Sequence, residues 1–316
     1  MAAVTAALVK QLREVSGAGM MDCKKALTET NGDIDAAVEY LRKNGAMKAA
    51  KKANRIAAEG LAWIAQDGDH KAAVVEVNSE TDFVAQNEKF RTYVDKVAKQ
   101  ALHSDAKDMD AFLAEKWEDQ PDETVNDALI EMIAVISEKL SIRRFEKVEE
   151  ENGLVATYVH GGGRIGVIVD AETSVINDEV REAVRNVAMQ VAALSPKYIA
   201  ASDVPDDVRA HESEILLDAI KKENDELPEN KRKPQQILEK QLIGRLNKEL
   251  CEICLNDQVY VKAEDGKQTV SSYLAQVGKA NNTTITIKKF VRFEVGEGME
   301  KRNENFAEEV MSQIKK

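Results

Sequence analysis

Cys251 and Cys254 are the two residues whose type and spacing come closest to suggesting chemistry. A Cys-x-x-Cys pair can ligate zinc or cycle between thiol and disulfide. A zinc site needs further ligands, and the chain has only one other cysteine, Cys23, and four histidines that stand far apart. The pair also falls within the helical run LNKELCEICL. The sequence therefore favours two ordinary helix-face residues, and a thiol- or metal-dependent enzyme is kept only as a third hypothesis.

Two glycine-rich stretches could be taken for phosphate-binding loops. SGAGMMDCKK lacks the G-x-x-x-x-G-K-[ST] spacing and follows a predicted helix where a strand is required. HGGGRIG lies between two predicted strands, so no helix N-terminus is available to receive a phosphate. We therefore predict no catalytic residue, no metal site and no cofactor. The sequence indicates a binding protein rather than an enzyme.

Composition is that of a soluble globular protein. The 316 residues are enough for two or more domains, and 43% of them are apolar and 32% charged. A net charge of -12 disfavours a protein that coats nucleic acid or an anionic membrane. No apolar run approaches the roughly 20 residues that span a bilayer. Sparse cysteines and the lack of a signal-peptide pattern predict a cytoplasmic protein with no membrane partner.

Residues 1–55 predict a small three-helix module followed by a basic linker. Apolar residues at helical spacing indicate a first helix that ends at Gly17, and Asp33 is placed to cap the third. The residues predicted to share one helix face are Val4, Leu8, Leu12 and Val15 in the first helix and Met20, Cys23, Lys24 and Leu27 in the second. In the third, Ile34, Ala37, Val38 and Leu41 are predicted to face inward. Residues 42–55 carry several basic residues and no acidic one. A solvated, partly helical linker is favoured, with a contact for RNA or an acidic partner as the alternative.

The order strand, turn, strand, helix occurs twice. The first pair of β-rich runs surrounds Asp67-Gly68-Asp69, and the second surrounds the glycines of HGGGRIG. We predict an α+β fold with a core of two similar subdomains built on antiparallel sheets, at 56–140 and at 141–202 with 257–296. Residues 107–140 predict two helices, and SIRRFEKVEE is placed at the start of the second copy.

Two further segments complete the predicted organisation. Residues 203–256 have the pattern of a helical hairpin with a charged loop, inserted into the second copy. TTITIKKFVRFEVGEG then predicts a strand with Ile285, Ile287, Val291, Phe293 and Val295 on one face. A last helix with Phe306, Val310 and Ile314 forms a short C-terminal module, 297–316.

Phe83, in NSETDFVAQNEKF, stands where a polar turn would be expected. It lies seven residues before Phe90, in register with the following helical stripe if that helix starts at Asp82. If Asn87 is the cap instead, Phe83 belongs to the connection. Periodicity alone favours a buried Phe83.

Four segments together resemble the signature segments of the elongation factor Ts family. They are, in order, GAGMMDCKKAL, TDFVAQNEKF, HGGGRIGV and RFEVGEGMEK. The resemblance implies a ubiquitin-associated-like N-terminal module, two similar core subdomains, an inserted coiled-coil-like hairpin and a short C-terminal module. It also implies a guanine-nucleotide exchange factor for elongation factor Tu, with no chemistry of its own and GDP or GTP reached only through that partner.

The resemblance further implies which residues contact the GTPase. The TDFV motif, here Thr81, Asp82, Phe83 and Val84, would approach its Mg²⁺ and phosphate site, with Phe83 exposed as a wedge. Other implied contacts are Leu12, Met20, Met21, Ile136, His160 and Gly161. This chain departs from the family in two places: HGGGRIGV has one residue more than the HGARIGV of many members, and Ser137 follows Ile136 where the family has glycine.

An alternative hypothesis is a non-catalytic adaptor or RNA-associated protein that uses the three-helix module and the basic linker. Salt-sensitive RNA binding would distinguish it. On the first hypothesis no direct nucleic-acid partner is expected. The sequence leaves open whether the chain forms a homodimer.

Overall fold

The structure is a computed structural model that describes residues 4–300, so the predicted C-terminal helix around Phe306, Val310 and Ile314 lies outside it. Its elements are α1 (Ala6–Ser16), α2 (Met20–Glu29), α3 (Ile34–Lys52), β1 (Glu59–Asp67), β2 (Lys71–Ser79), α4 (Asp82–Gln86), α5 (Glu88–His103), α6 (Met109–Ala114), β3 (Lys116–Trp117), β4 (Gln120–Thr124), α7 (Val125–Ile136), β5 (Ser141–Glu149), β6 (Gly153–His160), β7 (Ile165–Glu172), α8 (Asp178–Leu194), α9 (Asp206–Asp225), α10 (Gln235–Ile253), α11 (Val270–Ala280) and β8 (Thr286–Glu294). The predicted α+β class with antiparallel sheets is confirmed.

Helices α1 to α3 form a small bundle with its own core. Gly17 ends α1 in the left-handed conformation, and the Asp33 carboxylate accepts the Ala36 N–H at the start of α3, as predicted. The core is made of Val9, Leu12, Ala18, Cys23, Ala26, Leu27 and Ala37. Val15 and Met20, predicted to share a helix face with Leu12 and Cys23, are exposed, whereas Leu12 and Cys23 are buried. Helix α3 continues to Lys52, so most of the basic linker is helical.

The first sheet has the strand order β1-β2-β5, all antiparallel. SIRRFEKVEE, which contains β5, was predicted to start the second copy. This prediction was wrong, because β5 hydrogen-bonds to β2 of the first sheet along its length. Residues 107–140, predicted as two helices, also contain the short β3-β4 hairpin between α6 and α7. The polar QPDET run of β4 has no apolar alternation that would have indicated a strand.

The second sheet has the order β6-β7-β8, so both sheets consist of a hairpin whose second strand pairs with a later strand. The two sheets pack face to face through apolar residues that include Ala62, Val74, Ile168 and Phe293. Helix α5 packs on the outer face of the first sheet and α8 on that of the second, and α7 and α11 pack against α5 and α8 in the same two cores. Helix α11 was not predicted. These four layers hold the connections between strands and helices at fixed positions.

The apolar residues of strand β8 do not all lie on the same face of the second sheet. A bulge shifts the register opposite Asp170 and Ala171, so one extra residue is inserted into β8. Ile287 consequently packs with the helices of the second sheet, whereas Val291 and Phe293 pack between the two sheets. The prediction that these residues share one face was wrong for this reason.

Helices α9 and α10 form the predicted hairpin. Leu216 and Ile220 of α9 and Leu238 and Leu250 of α10 are buried. At the base, the backbone N–H groups of Leu255 and Asn256 donate to the carbonyls of Tyr198 and Ile199, which ties both ends of the insertion together.

Candidate partner-binding surface

Phe83 lies on α4, a helix of five residues between β2 and α5. Its side chain is 81% exposed, whereas that of the adjacent Val84 is 8% exposed and packs into the core of the first sheet. Asp82 is exposed and Thr81 is half-buried. The connection therefore anchors itself through Val84 and leaves the aromatic ring in solvent.

Asn87 explains why periodicity predicted burial of Phe83 wrongly. Its backbone is extended, with φ -70° and ψ 126°, so it breaks the helical path between Gln86 and Glu88. Its side-chain oxygen accepts the N–H groups of Lys89 and Phe90, so Asn87 caps α5 as a new helix. Phe83 and Phe90 are consequently on two separate helices, and their spacing does not place them on one face.

Arg91 connects α4 to the glycine turn of the second sheet. Its guanidinium donates to the carbonyl of Ala85, at 3.2 Å, and to that of Gly162, at 3.1 Å. The same group lies 5.1 Å from the centre of the Trp63 ring, at cation–π distance. The Phe83 helix and the turn after His160 are therefore neighbours, although almost eighty positions separate them in sequence. No sequence pattern singled out Arg91.

The glycine turn is fixed by backbone conformations that glycine tolerates. Gly161, Gly162 and Gly163 have φ of 59°, 68° and 115°. The Gly163 carbonyl accepts the Ala62 N–H at 2.7 Å, and a Cβ at Gly163 would lie 2.5 Å from Leu61. The turn thus packs closely on β1 and holds Gly161 at the surface.

His160 precedes this turn at the end of β6 and is exposed. Its Nδ1 lies 3.0 Å from the Tyr158 hydroxyl, which orients the imidazole ring. The extra residue of HGGGRIGV lies in a turn of left-handed glycines, so the strands on either side keep an unbroken antiparallel register. His160 and Gly161 are both exposed and directly precede Gly162, whose carbonyl Arg91 contacts.

In the N-terminal bundle, Met20 and Met21 are 59% and 74% exposed at the start of α2. Leu12 is different: its side chain is completely buried in the bundle core. The prediction that Leu12 contacts a partner is therefore corrected, because the bundle already covers the whole side chain. Its role is to support α1 and α2 from within.

Two features attach the bundle to the core. Arg42 of α3 pairs with Glu131 of α7, Nε to Oε1 at 3.1 Å, and with the buried Glu123. Gly45 of α3 also faces α7, where a Cβ would lie at ordinary van der Waals distance, 3.5 Å, from Ile130. The exposed methionines are thus held in a defined position relative to α7.

Ile136 ends α7 and is half-buried. Ser137 follows it with φ 65°, the left-handed conformation that favours glycine. The family glycine therefore stands at a position whose backbone favours glycine, and this chain adopts the same turn with serine. The reversal brings the next residue, Glu138, back against Thr81.

The two cysteines of the Cys-x-x-Cys pair lie in different environments. Cys254 is fully buried, and burial, with nearby Asp257, raises the pKa of its thiol to about 11, whereas Cys251 is exposed on α10. Within residues 4–300, no group of three or more His, Cys, Asp or Glu side chains could hold a metal ion. No helix in that range is long and apolar enough to cross a membrane.

The structure thus defines an α+β protein with two antiparallel sheets packed face to face and an exposed aromatic side chain on a short connecting helix. A family profile described as Elongation factor TS matches residues 80–297. The chain belongs to the elongation factor Ts family, and is a translation elongation factor.

Relatives cover the whole chain, including the N-terminal bundle that precedes the profile match. Elongation factor Ts of Clostridioides difficile (strain 630) is 49% identical over 316 residues, covering 100% of both chains. Elongation factor Ts of Clostridium novyi (strain NT) is 47% identical, covering 98% of this chain and 99% of its own. That of Clostridium tetani (strain Massachusetts / E88) is 44% identical, with the same coverage of both chains.

Proposed function

We propose that this protein is the guanine-nucleotide exchange factor of elongation factor Tu. It binds that GTPase in its GDP state and promotes release of GDP and its exchange for GTP, without covalent chemistry of its own. The observation that carries the proposal is the 81% exposure of Phe83 on a helix anchored by Val84. A large apolar side chain held out in this way has a partner's pocket as its natural environment.

The exchange works by linkage between two binding events. If the factor weakens GDP binding by some ratio, GDP weakens binding of the factor by the same ratio. Full burial of a phenylalanine side chain is worth about 2–3 kcal/mol, which corresponds to roughly 30- to 150-fold in affinity. That energy becomes available only when the GTPase opens a pocket near its Mg²⁺ and phosphate site, so insertion of Phe83 favours the open, nucleotide-releasing state.

Other exposed residues supply affinity around this wedge. Met20 and Met21 of the bundle and Ile136 of α7 contact the same partner domain as Phe83, and flexible methionines suit an apolar interface. His160 and Gly161 contact a further part of the GTPase. The TDFV neighbours Thr81 and Asp82 shape and flank the wedge, and Val84 anchors it. We place this activity in the cytoplasm, where bacterial translation takes place.

Release of a fluorescent GDP from elongation factor Tu tests the proposal. The GTPase is loaded with the labelled nucleotide, mixed with excess unlabelled GDP, and titrated with the chain. We expect the release rate to rise and saturate, and a labelled GTP analogue to be released faster as well. A release rate that does not depend on the chain would overturn the proposal.

The RNA-associated alternative has little support from the basic segment of α3. Arg42, Lys43, Lys48 and Arg55 each lie within ion-pair distance of an acidic side chain. These carboxylates reduce the positive potential that RNA phosphates would need. We therefore expect no salt-dependent RNA binding in a gel-shift titration.

A further inference from the structure

The helix that carries Phe83 is too short to be stable by itself. Five residues form about one turn and a half, far below the length at which an isolated helix persists in water. Thr81 stands at the N-cap, but its side chain makes no capping bond to α4. Something outside the helix must therefore fix the direction in which Phe83 points.

Glu138 provides this restraint from the end of α7. One of its carboxylate oxygens, Oε2, accepts the backbone N–H groups of Glu80 and Thr81, both at 3.1 Å. The other, Oε1, accepts the Thr81 hydroxyl at 2.9 Å. A single side chain thus holds two successive peptides and the hydroxyl immediately before α4.

Glu80 returns the same kind of contact. Its Oε1 accepts the backbone N–H of Lys139 at 2.6 Å, and Arg55 donates to both of its carboxylate oxygens, at 3.1 and 3.3 Å. Lys139 in turn donates from Nζ to the Arg55 carbonyl at 2.8 Å. Each acidic residue therefore binds the backbone of the segment that carries the other, and charge-assisted bonds of this kind are among the stronger ones in proteins.

The two segments joined in this way each end in a candidate contact residue. Phe83 follows Thr81 by two positions, and Ile136 precedes Glu138 by two. Ser137, with its left-handed backbone, makes the reversal that aims Glu138 at Thr81. The contacts thus fix the spacing between Phe83 and Ile136 before any partner is bound.

We propose that Glu138 and Glu80 form a reciprocal carboxylate clamp that positions Phe83 for nucleotide release. The inference rests on the exchange function proposed above and deepens it. Both acids are positioning residues, because they act through the backbone of the wedge. The wedge inserts only when the bound GTPase opens its pocket, so a preformed direction lowers the cost of that later step. The clamp therefore raises the maximal rate of GDP release more than it raises affinity for the GTPase.

Three variants separate positioning from mere stability. Glu138→Ala removes the Glu138 half of the clamp. Glu138→Gln keeps it, because the amide oxygen can accept both N–H groups while the amide nitrogen donates to the Thr81 hydroxyl. Glu118→Ala, on an acid paired with His103 outside the clamp, is the matched control.

The first measurement is amide hydrogen exchange in the isolated protein, which needs no partner. We expect the amides of Glu80 and Thr81, which donate to Glu138, to exchange about tenfold faster in Glu138→Ala, and at the wild-type rate in Glu138→Gln and Glu118→Ala. Unchanged protection at these amides in Glu138→Ala would overturn the clamp. If Glu138→Ala does not fold, Thr81→Val, which removes only the hydroxyl bond, should show the same change at smaller size.

The second measurement is a titration of GDP release with the factor. It gives two quantities: the maximal release rate at saturation and the concentration of factor that gives half of that rate. We expect Glu138→Ala to lose about tenfold in maximal rate, with little change in half-saturation, and Glu138→Gln to recover it. Glu138→Ala added to Phe83→Ala should cause no further loss, since both act through the same ring. Additive losses, or a wild-type rate in Glu138→Ala, would overturn the clamp. Failure of the wild-type chain to accelerate release would instead overturn the exchange function itself.

Discussion

Arg91 Nη1 donates a hydrogen bond to the carbonyl oxygen of Gly162, 3.1 Å away, and so joins the first α+β half to the glycine turn of the second. The same atom holds the carbonyl of Ala85 at the end of the Phe83 helix. A cation is favourable at a helix C-terminus, where carbonyl groups lack partners. One guanidinium therefore sets the distance between two proposed contact regions.

Replacement of Arg91 by alanine should separate these regions. We expect Arg91→Ala to weaken binding to elongation factor Tu by about tenfold, because two carbonyl groups lose a charged donor and the turn loses its link to α4. Titration calorimetry with the nucleotide-free GTPase measures this. Arg185→Ala, on an exposed arginine of α8, is the control and should bind like the wild type. Equal affinities for the two variants would contradict the prediction.

Glu76 is a buried carboxylate that fastens the first sheet to the end of β8. It accepts the Gly296 N–H at 2.8 Å and pairs with Arg143 and Arg144 at 3.0 and 2.6 Å. Burial alone would raise the pKa of Glu76, but these hydrogen bonds, with one from Asn78, outweigh burial and hold the pKa below its ordinary value of 4.5. Its stabilising effect is therefore complete above that value and is lost as the pH falls through the lowered pKa.

Glu76→Gln should consequently destabilise the protein in a pH-dependent way. At about pH 7 we expect a loss of about 2 kcal/mol or more in the free energy of unfolding, because two arginines lose a charged partner. The difference should shrink as the pH is lowered into the acid range below the ordinary value of 4.5, through the lowered pKa at which the wild-type carboxylate becomes protonated. Urea unfolding at neutral pH and in this acid range measures it. Glu172→Gln, on an exposed ion pair with Lys288, should change stability little, and a difference independent of pH would refute the assignment.

Asp170 presents the opposite case on the inner face of the second sheet. Burial, together with the nearby Glu150 carboxylate, raises the pKa of Asp170 to about 7, although the positive charges of Lys288 and Lys289 act to lower it. Because the folded pKa is raised, the contribution of this group to stability is greatest in acid and is lost as the pH rises through about 7.

The Asp170→Asn variant should therefore become more stable relative to the wild type as the pH rises. Between about pH 5 and about pH 8 we expect the difference in unfolding free energy to move by about 2 kcal/mol in favour of the variant. Thermal or urea unfolding across this range checks the sign. Glu150→Gln, which removes the neighbouring charge, should reduce the effect. A difference that moved in favour of the wild type with rising pH would refute the account.

Much of the local structure could be predicted because its signals are local. Asp33 as a cap, Gly17 as a helix end and the hairpin around Gly68 each follow from residues within one turn of the feature. Helix α11 has such local signals too, since Thr269 caps it and Val270 and Leu274 are spaced as one buried face.

The remainder depends on partners distant in sequence. β5 could pair with either half, and its pairing with β2 is decided by packing between elements about seventy residues apart. The bulge in β8 leaves no sign in its apolar spacing. The orientation of Phe83 depends on Asn87, which periodicity permits as a cap but does not require, and Glu138 could not be connected to Thr81 without the fold.

The most direct test of the central claim is the maximal rate at which the Phe83→Ala variant makes elongation factor Tu release GDP. We predict a loss of about 10- to 100-fold relative to the wild type, with an unchanged thermal transition, because the ring is 81% exposed in the isolated protein. The matched change Phe90→Ala, at a fully buried phenylalanine, should instead cost about 3–5 kcal/mol of stability. A folded Phe83→Ala variant that accelerates GDP release from elongation factor Tu as much as the wild type does would contradict the account.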